Sequence, residues 1–278
     1  MWKYLYNVVA LVPFLALSPI TTYAHSPPEP GLPVRSINPG GNEKVVNIPL
    51  SDGSSIRALF CAPTQPKATI IMFPGGSGDI GLGPDGSIRH GENFVVRTRG
   101  LWNQRHYAIL IPDTVNSLNL RGHRSSASYE RVIEDLLTFA QQEKAGPVFL
   151  LGTSQGAIAA VNGAAHAPSN ALAGIVLSEA VSVMGGSKET VFSATPQDIH
   201  APVLIVANHT DRCNVAPPQE ASRIAASMTG SSDVQILRVT GGSTLSKKTC
   251  GSLSPHGYFG IEDDVITKIS VWMETKLR

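Results

Sequence analysis

Charge is scarce in this sequence: charged residues make up 15% of 278, and the formal net charge at pH 7 is +1. No basic field exists to draw a nucleic-acid backbone or an anionic membrane surface to the protein. The expected partner is therefore a small, neutral or weakly charged molecule, and no nucleic acid. A long hydrophobic run is missing as well. The apolar stretch near the N-terminus, Val8 to Leu17, contains Pro13 and is too short to span a hydrocarbon layer of about 30 Å. The Gly-x-x-x-x-Gly-Lys-Ser/Thr string of a phosphate cradle does not occur, and neither does an internal repeat of solenoid period. Cysteine is limited to Cys61, Cys213 and Cys250, and no cofactor-binding or metal-ligating pattern emerges.

The first 24 residues carry one lysine, the short apolar run, and Thr22 and Ala24 at the minus-three and minus-one positions of a cleavage site. This is the pattern of a signal peptide, residues 1–24. The competing reading, a membrane anchor, is disfavoured by length, so a secreted or periplasmic chain without stable membrane insertion is expected. Export makes disulfides sustainable. Of the three pairings, Cys213 with Cys250 is favoured, because both lie in loops directed to one edge of the predicted sheet. Cys61 ends an alternating strand and is expected to stay a thiol.

Residues 25–43, rich in proline and glycine, read as an extended lead-in, and a single domain is expected over 44–278. Strands are predicted at 44–50, 55–61, 68–73, 107–112, 147–152, 173–178, 202–208 and 234–240. Helices are predicted at 93–104, 128–143, 155–166, 218–228 and 261–275. Runs such as "ATIIMF" and "VFLL" are apolar on both faces, as in a parallel sheet covered by helices. The first two strands suit an antiparallel hairpin, and the segment between 178 and 202 is too short for a large cap.

With 26 glycines in the chain, the pentapeptide "GTSQG" means little until its context is read. An apolar strand runs into it and a small-residue helix leaves it, so Ser154 sits on a sharp strand-to-helix turn with its hydroxyl exposed. A serine hydroxyl needs a base, and "GSLSPHGYFG" supplies His256 in a loop between the last strand and last helix. His90, His106, His123, His166, His200 and His209 lack that placement, and His25 belongs to the lead-in. An acid must orient the base. Asp211 in "NHTD" follows strand 202–208 and preserves the order Ser, Asp, His; Glu179, at the end of strand 173–178, is its rival. An anion forming on an attacked carbonyl needs N–H donors, and the candidates for this oxyanion hole are Gly76 and Ser77 in "PGGSG" together with Gln155. Arg97, Arg99, Arg121 and Arg124 either bind a substrate carboxylate or serve as solvated or bridging residues.

Together, "GTSQG" as nucleophile elbow, "NHTD" as acid loop and "SPHGY" as histidine loop resemble the α/β-hydrolase superfamily, over most of the chain from about Lys44. The resemblance implies an α/β fold with a mostly parallel sheet flanked by helices, and a serine hydrolase of carboxylesterase type. The short cap and exported start also resemble small bacterial dienelactone-hydrolase-like enzymes. Those commonly use cysteine where this chain has Ser154, so their reaction is not carried over. An amidase or peptidase using the same residues, or a non-catalytic binding protein on the same fold, stays open.

Overall fold

The computed structural model describes residues 42–143 and 145–277. The expected signal peptide and the lead-in up to residue 41 lie outside the described residues. Eight strands form one sheet: β1 (Asn42–Pro49), β2 (Ser55–Ala62), β3 (Ala68–Phe73), β4 (Tyr107–Pro112), β5 (Val148–Thr153), β6 (Gly174–Ser178), β7 (Val203–Asn208) and β8 (Val234–Val239). The helices are α1 (Phe94–Arg97), α2 (Arg99–Gln104), α3 (Ala127–Gln142), α4 (Gly156–His166), α5 (Ala221–Ser227) and α6 (Glu262–Thr275).

The strand order is β1-β2-β4-β3-β5-β6-β7-β8. The β1–β2 hairpin and the β2–β4 pair are antiparallel, and the remaining pairs are parallel. Side chains of β3 alternate between two cores because successive residues of a strand point to opposite faces. Ile71 and Phe73 join a cluster with Ile133 of α3 and Ile158 of α4; Ile70 and Met72 join another with Trp102 of α2 and Ile269 of α6. Burying each such side chain contributes about 1.5–3 kcal/mol, which is why the strands read as continuous apolar runs.

Three boundaries differ from expectation for identifiable reasons. The helix expected over 93–104 is broken at Thr98, whose hydroxyl donates to the Phe94 carbonyl at 2.7 Å and so competes with the backbone ladder. The helix expected at 218–228 opens as a 3-10 turn, Pro218–Glu220, before α5, since Pro217 and Pro218 have no N–H to give. β1 begins at Asn42, inside the expected lead-in of 25–43; Glu43 is tied there by Arg99 at 2.7 Å.

Strand order reverses at the centre: β3 connects to β4 on one side, while β5 lies on its other side. A crevice opens at the carboxyl ends of strands where such a reversal occurs. The glycine-rich loop after β3 and the turn after β5 meet there. Between β6 and β7 the chain carries only the 3-10 turns Val191–Ala194 and Pro196–Asp198, so among the described residues no large cap is inserted there.

Candidate active site

Ser154 occupies a left-handed backbone conformation, φ +54°, which a non-glycine residue adopts only at a local cost of about 1–3 kcal/mol. The neighbours hold it there. Its N–H donates to the Ser178 carbonyl at 2.8 Å, and its carbonyl accepts from Ala157 at 3.1 Å. Two glycines make the turn possible by close approach. A Cβ on Gly156 would run into the Phe73 carbonyl, and one on Gly152 into the Gly156 carbonyl. The turn that carries Ser154 is therefore wedged directly against the end of β3.

His256 sits in a 3-10 turn, Pro255–Gly257, capped by Ser254, whose hydroxyl accepts from the His256 N–H at 3.2 Å. Its Nε2 lies 2.9 Å from Ser154 Oγ, and its Nδ1 lies 2.7 Å from Asp211 Oδ2. Asp211 and His256 are 3% and 4% exposed, so water does not compete for the contact between them. Burial alone would raise the Asp211 carboxyl's affinity for a proton, but hydrogen bonding and charge from His256 outweigh it and hold the group below the ordinary carboxylate range. The other Asp211 oxygen accepts from the Cys213 N–H at 2.8 Å, and Cys213 is bridged to Cys250. Cys61 stays outside the bridge, buried, with its thiol 2.6 Å from Asn103 Oδ1.

Three further residues brace the histidine loop; Asn208 and Tyr258 are not anticipated from sequence, and the sequence leaves the role of Arg97 open. The Asn208 amide donates to the carbonyls of Gly241 and Pro255, each at 2.9 Å. Arg97 donates to the Gly257 carbonyl and pairs with Glu262 at 2.9 Å. Tyr258, fully buried behind the histidine, donates to the Val206 carbonyl at 3.2 Å. An asparagine ending a buried strand was the one available signal for Asn208.

The four arginines do not converge on one pocket. Arg97 clamps the histidine loop and Arg99 pairs with Glu43. Arg121 is exposed, with its guanidinium near Gly76. Arg124 is 1% exposed and donates through Nη2 to the carbonyls of Pro74 (3.2 Å) and Gly76 (3.1 Å). Every described peptide is trans, so a carbonyl and the following N–H point in opposite directions. Arg124 thereby turns the N–H groups of Gly75 and Ser77 away from itself. Among the described residues, no hydrogen bond within the chain engages the backbone N–H groups of Gly76, Ser77 or Gln155. These three predicted donors lie on the loop after β3 and at the N-terminus of α4, where backbone N–H groups favour negative charge.

Glu179, the rival acid, is not in contact with the histidine as its orienting partner; Asp211 is. Glu179 packs behind Asp211, 2% exposed, and one of its oxygens accepts from the Asn208 N–H at 2.6 Å. Burial first, and the Asp211 charge second, push its carboxyl well above the ordinary range. Ligand-type atoms of Glu179, Asp211 and His256 lie within 4.8 Å of one another. In that cluster the Asp211 and His256 atoms that face each other are already joined by the short Nδ1 contact.

No protein-family model matches the sequence, and no curated protein does. Solved structures do. A dienelactone hydrolase from Anabaena variabilis superposes with a TM-score of 0.60 at 16% identity, over 86% of this chain and 99% of the other. An esterase from Pyrococcus furiosus gives 0.62 at 12% identity, over 84% and 91%. An acylaminoacyl peptidase from Pyrococcus horikoshii gives 0.60 at 12% identity, over 86% of this chain but 42% of its own. The chain has the α/β-hydrolase fold.

Proposed function

We propose that the protein is an exported serine hydrolase acting on a small carboxylic ester. Ser154 attacks the carbonyl while His256 takes its proton. Asp211 holds the imidazole in the required tautomer and balances its charge. The amide of Gln155, with Ser77 or Gly76, receives the oxyanion. His256 then protonates the leaving alcohol, and water, activated by the same histidine, releases the acid from the acyl-enzyme. The observation that carries this reading is the unbroken chain from Asp211 Oδ2 to His256 Nδ1 (2.7 Å) and from His256 Nε2 to Ser154 Oγ (2.9 Å). Export is favoured by the N-terminal pattern and by the Cys213–Cys250 bridge, a bond that persists in oxidising compartments.

An active-serine fluorophosphonate should label the wild type at Ser154. Ser154→Ala should lose at least ~10³-fold in ester turnover with its fold retained. A wild-type protein that resists labelling would instead be a binding protein on this fold. A panel of short and long acyl esters beside matched amides separates esterase from amidase, and faster amide cleavage would move the assignment to an amidase or peptidase.

A further inference from the structure

One buried oxygen near the triad has no partner. Glu179 lies at the end of β6 with φ +45°, and this left-handed turn folds its side chain back over the end of β7. Its Oε1 accepts from the Asn208 N–H. Its Oε2 is fully buried, and no donor among the described residues meets it in hydrogen-bond geometry. A buried carboxylate oxygen left bare costs several kcal/mol, and no cation pairs with Glu179 among the described ion pairs. The titratable groups around it are Asp211, His256 and Tyr258; the Tyr258 hydroxyl lies beside Glu179 and donates to the Val206 carbonyl at 3.2 Å. A Glu179 carboxylate oxygen lies within 4.8 Å of an Asp211 carboxylate oxygen. Two carboxylates are both acceptors, so that approach is attractive only when one of them carries a proton. Asp211 faces the imidazole and keeps the charge.

We infer that Glu179 is a positioning residue: it holds a proton on its otherwise bare oxygen and donates it as a hydrogen bond to Asp211, fixing the acid against His256. The inference rests on the serine-hydrolase reading for its catalytic consequence, but not for the proton itself. In the hydrolase, Glu179 touches neither substrate nor the reacting atoms. It supplies Asp211 with a neutral donor on the side away from the histidine, and it grips the Asn208 N–H of the acid loop with its other oxygen. A second negative charge beside Asp211 would instead draw the proton onto His256 and weaken the base.

The test uses the full chain, Glu179→Gln and Glu179→Ala, with a short-chain aryl ester and infrared difference spectroscopy. At neutral pH the wild type should show the C=O stretch of a buried protonated carboxyl, and Glu179→Gln should lack it. Glutamine keeps both a donor and an acceptor, so Glu179→Gln should fall no more than about 5-fold in kcat, with the acid limb of the pH profile unmoved. Glu179→Ala should lose about 30-fold or more in kcat with KM little changed. Absence of the infrared band would overturn the inference. So would a Glu179→Gln acid limb displaced to lower pH by about a unit, the result of deleting a true carboxylate beside the imidazole. Equal rates for the alanine and glutamine variants would overturn the positioning role. If Glu179→Ala does not fold, the band and the glutamine profile still decide. The band is read without substrate, so a protein that shows it but resists fluorophosphonate would lose the hydrolase reading alone.

Discussion

Ser154 is positioned by residues next to it in sequence, whereas His256 is positioned by residues scattered along the chain. The turn depends first on Gly152 and Gly156 beside it; the Ser178 carbonyl and the wedge against Phe73 are its longer-range supports. Around His256 the partners come from Asp211, 45 residues earlier, from Asn208 through Pro255, 47 residues apart, and from Arg97 through Gly257, 160 apart. A disulfide between Cys213 and Cys250 adds a covalent tie. Ser154's place is set by what a Cβ would strike, so it yields to almost no change of residue size. His256's place is set by hydrogen bonds and a redox-sensitive bond, so it can be loosened by degrees.

The largest effect that separates the two halves is expected at the acid. Asp211→Asn leaves the shape of the site but removes the charge and tautomer preference on His256, and should cost about 10³-fold in kcat, far more than Glu179→Gln. The reverse ranking in the same assay would hand the acid role to Glu179. Next comes the nucleophile half. Arg124→Met removes the guanidinium that holds the Pro74 and Gly76 carbonyls, and should lower kcat by about 10–100-fold with KM little changed, since oriented amides act on the transition state. A rise in KM at constant kcat would mean that the loop binds substrate without receiving the oxyanion. The smallest effect is at the covalent tie. The bridge closes a 37-residue separation, worth about 4 kcal/mol in the chain-entropy model. Mild reduction should slow turnover by about 3–10-fold through misplacement of acid and base, at temperatures where the far-ultraviolet circular dichroism is unchanged. Loss of the sheet signal at the same step as loss of rate would show that the bridge holds the core as well as the loops.

The same division explains what the sequence made legible. Strand runs such as β3 and β5, the turn around Ser154, the placement of His256 beside it and the Cys213–Cys250 pairing follow from local pattern and from chain order along a parallel sheet. β4 lying between β2 and β3 does not follow, because strand order depends on packing among distant segments rather than on periodicity. Arginines were ambiguous for a related reason. Arg97 ends α1 and Arg124 lies in a turn before α3, and the two carry the same charge, yet one grips the histidine loop and the other the loop after β3. Nothing in their neighbours in sequence names the carbonyls they meet. Glu179 was read as a competitor of Asp211; the fold stacks the two instead, with the Asn208 N–H between β7 and the glutamate settling which one faces the imidazole.

Ser154 and His256 are separated by 102 residues, and this spacing sets an order of events during synthesis. A ribosome delivers the elbow well before the base, and α6, which packs beneath the sheet against Phe149 through Trp272, arrives last of all. An unfinished chain thus presents a serine hydroxyl with no group to take its proton. On the proposed hydrolase reading, the site is complete only once the C-terminal quarter has emerged and docked.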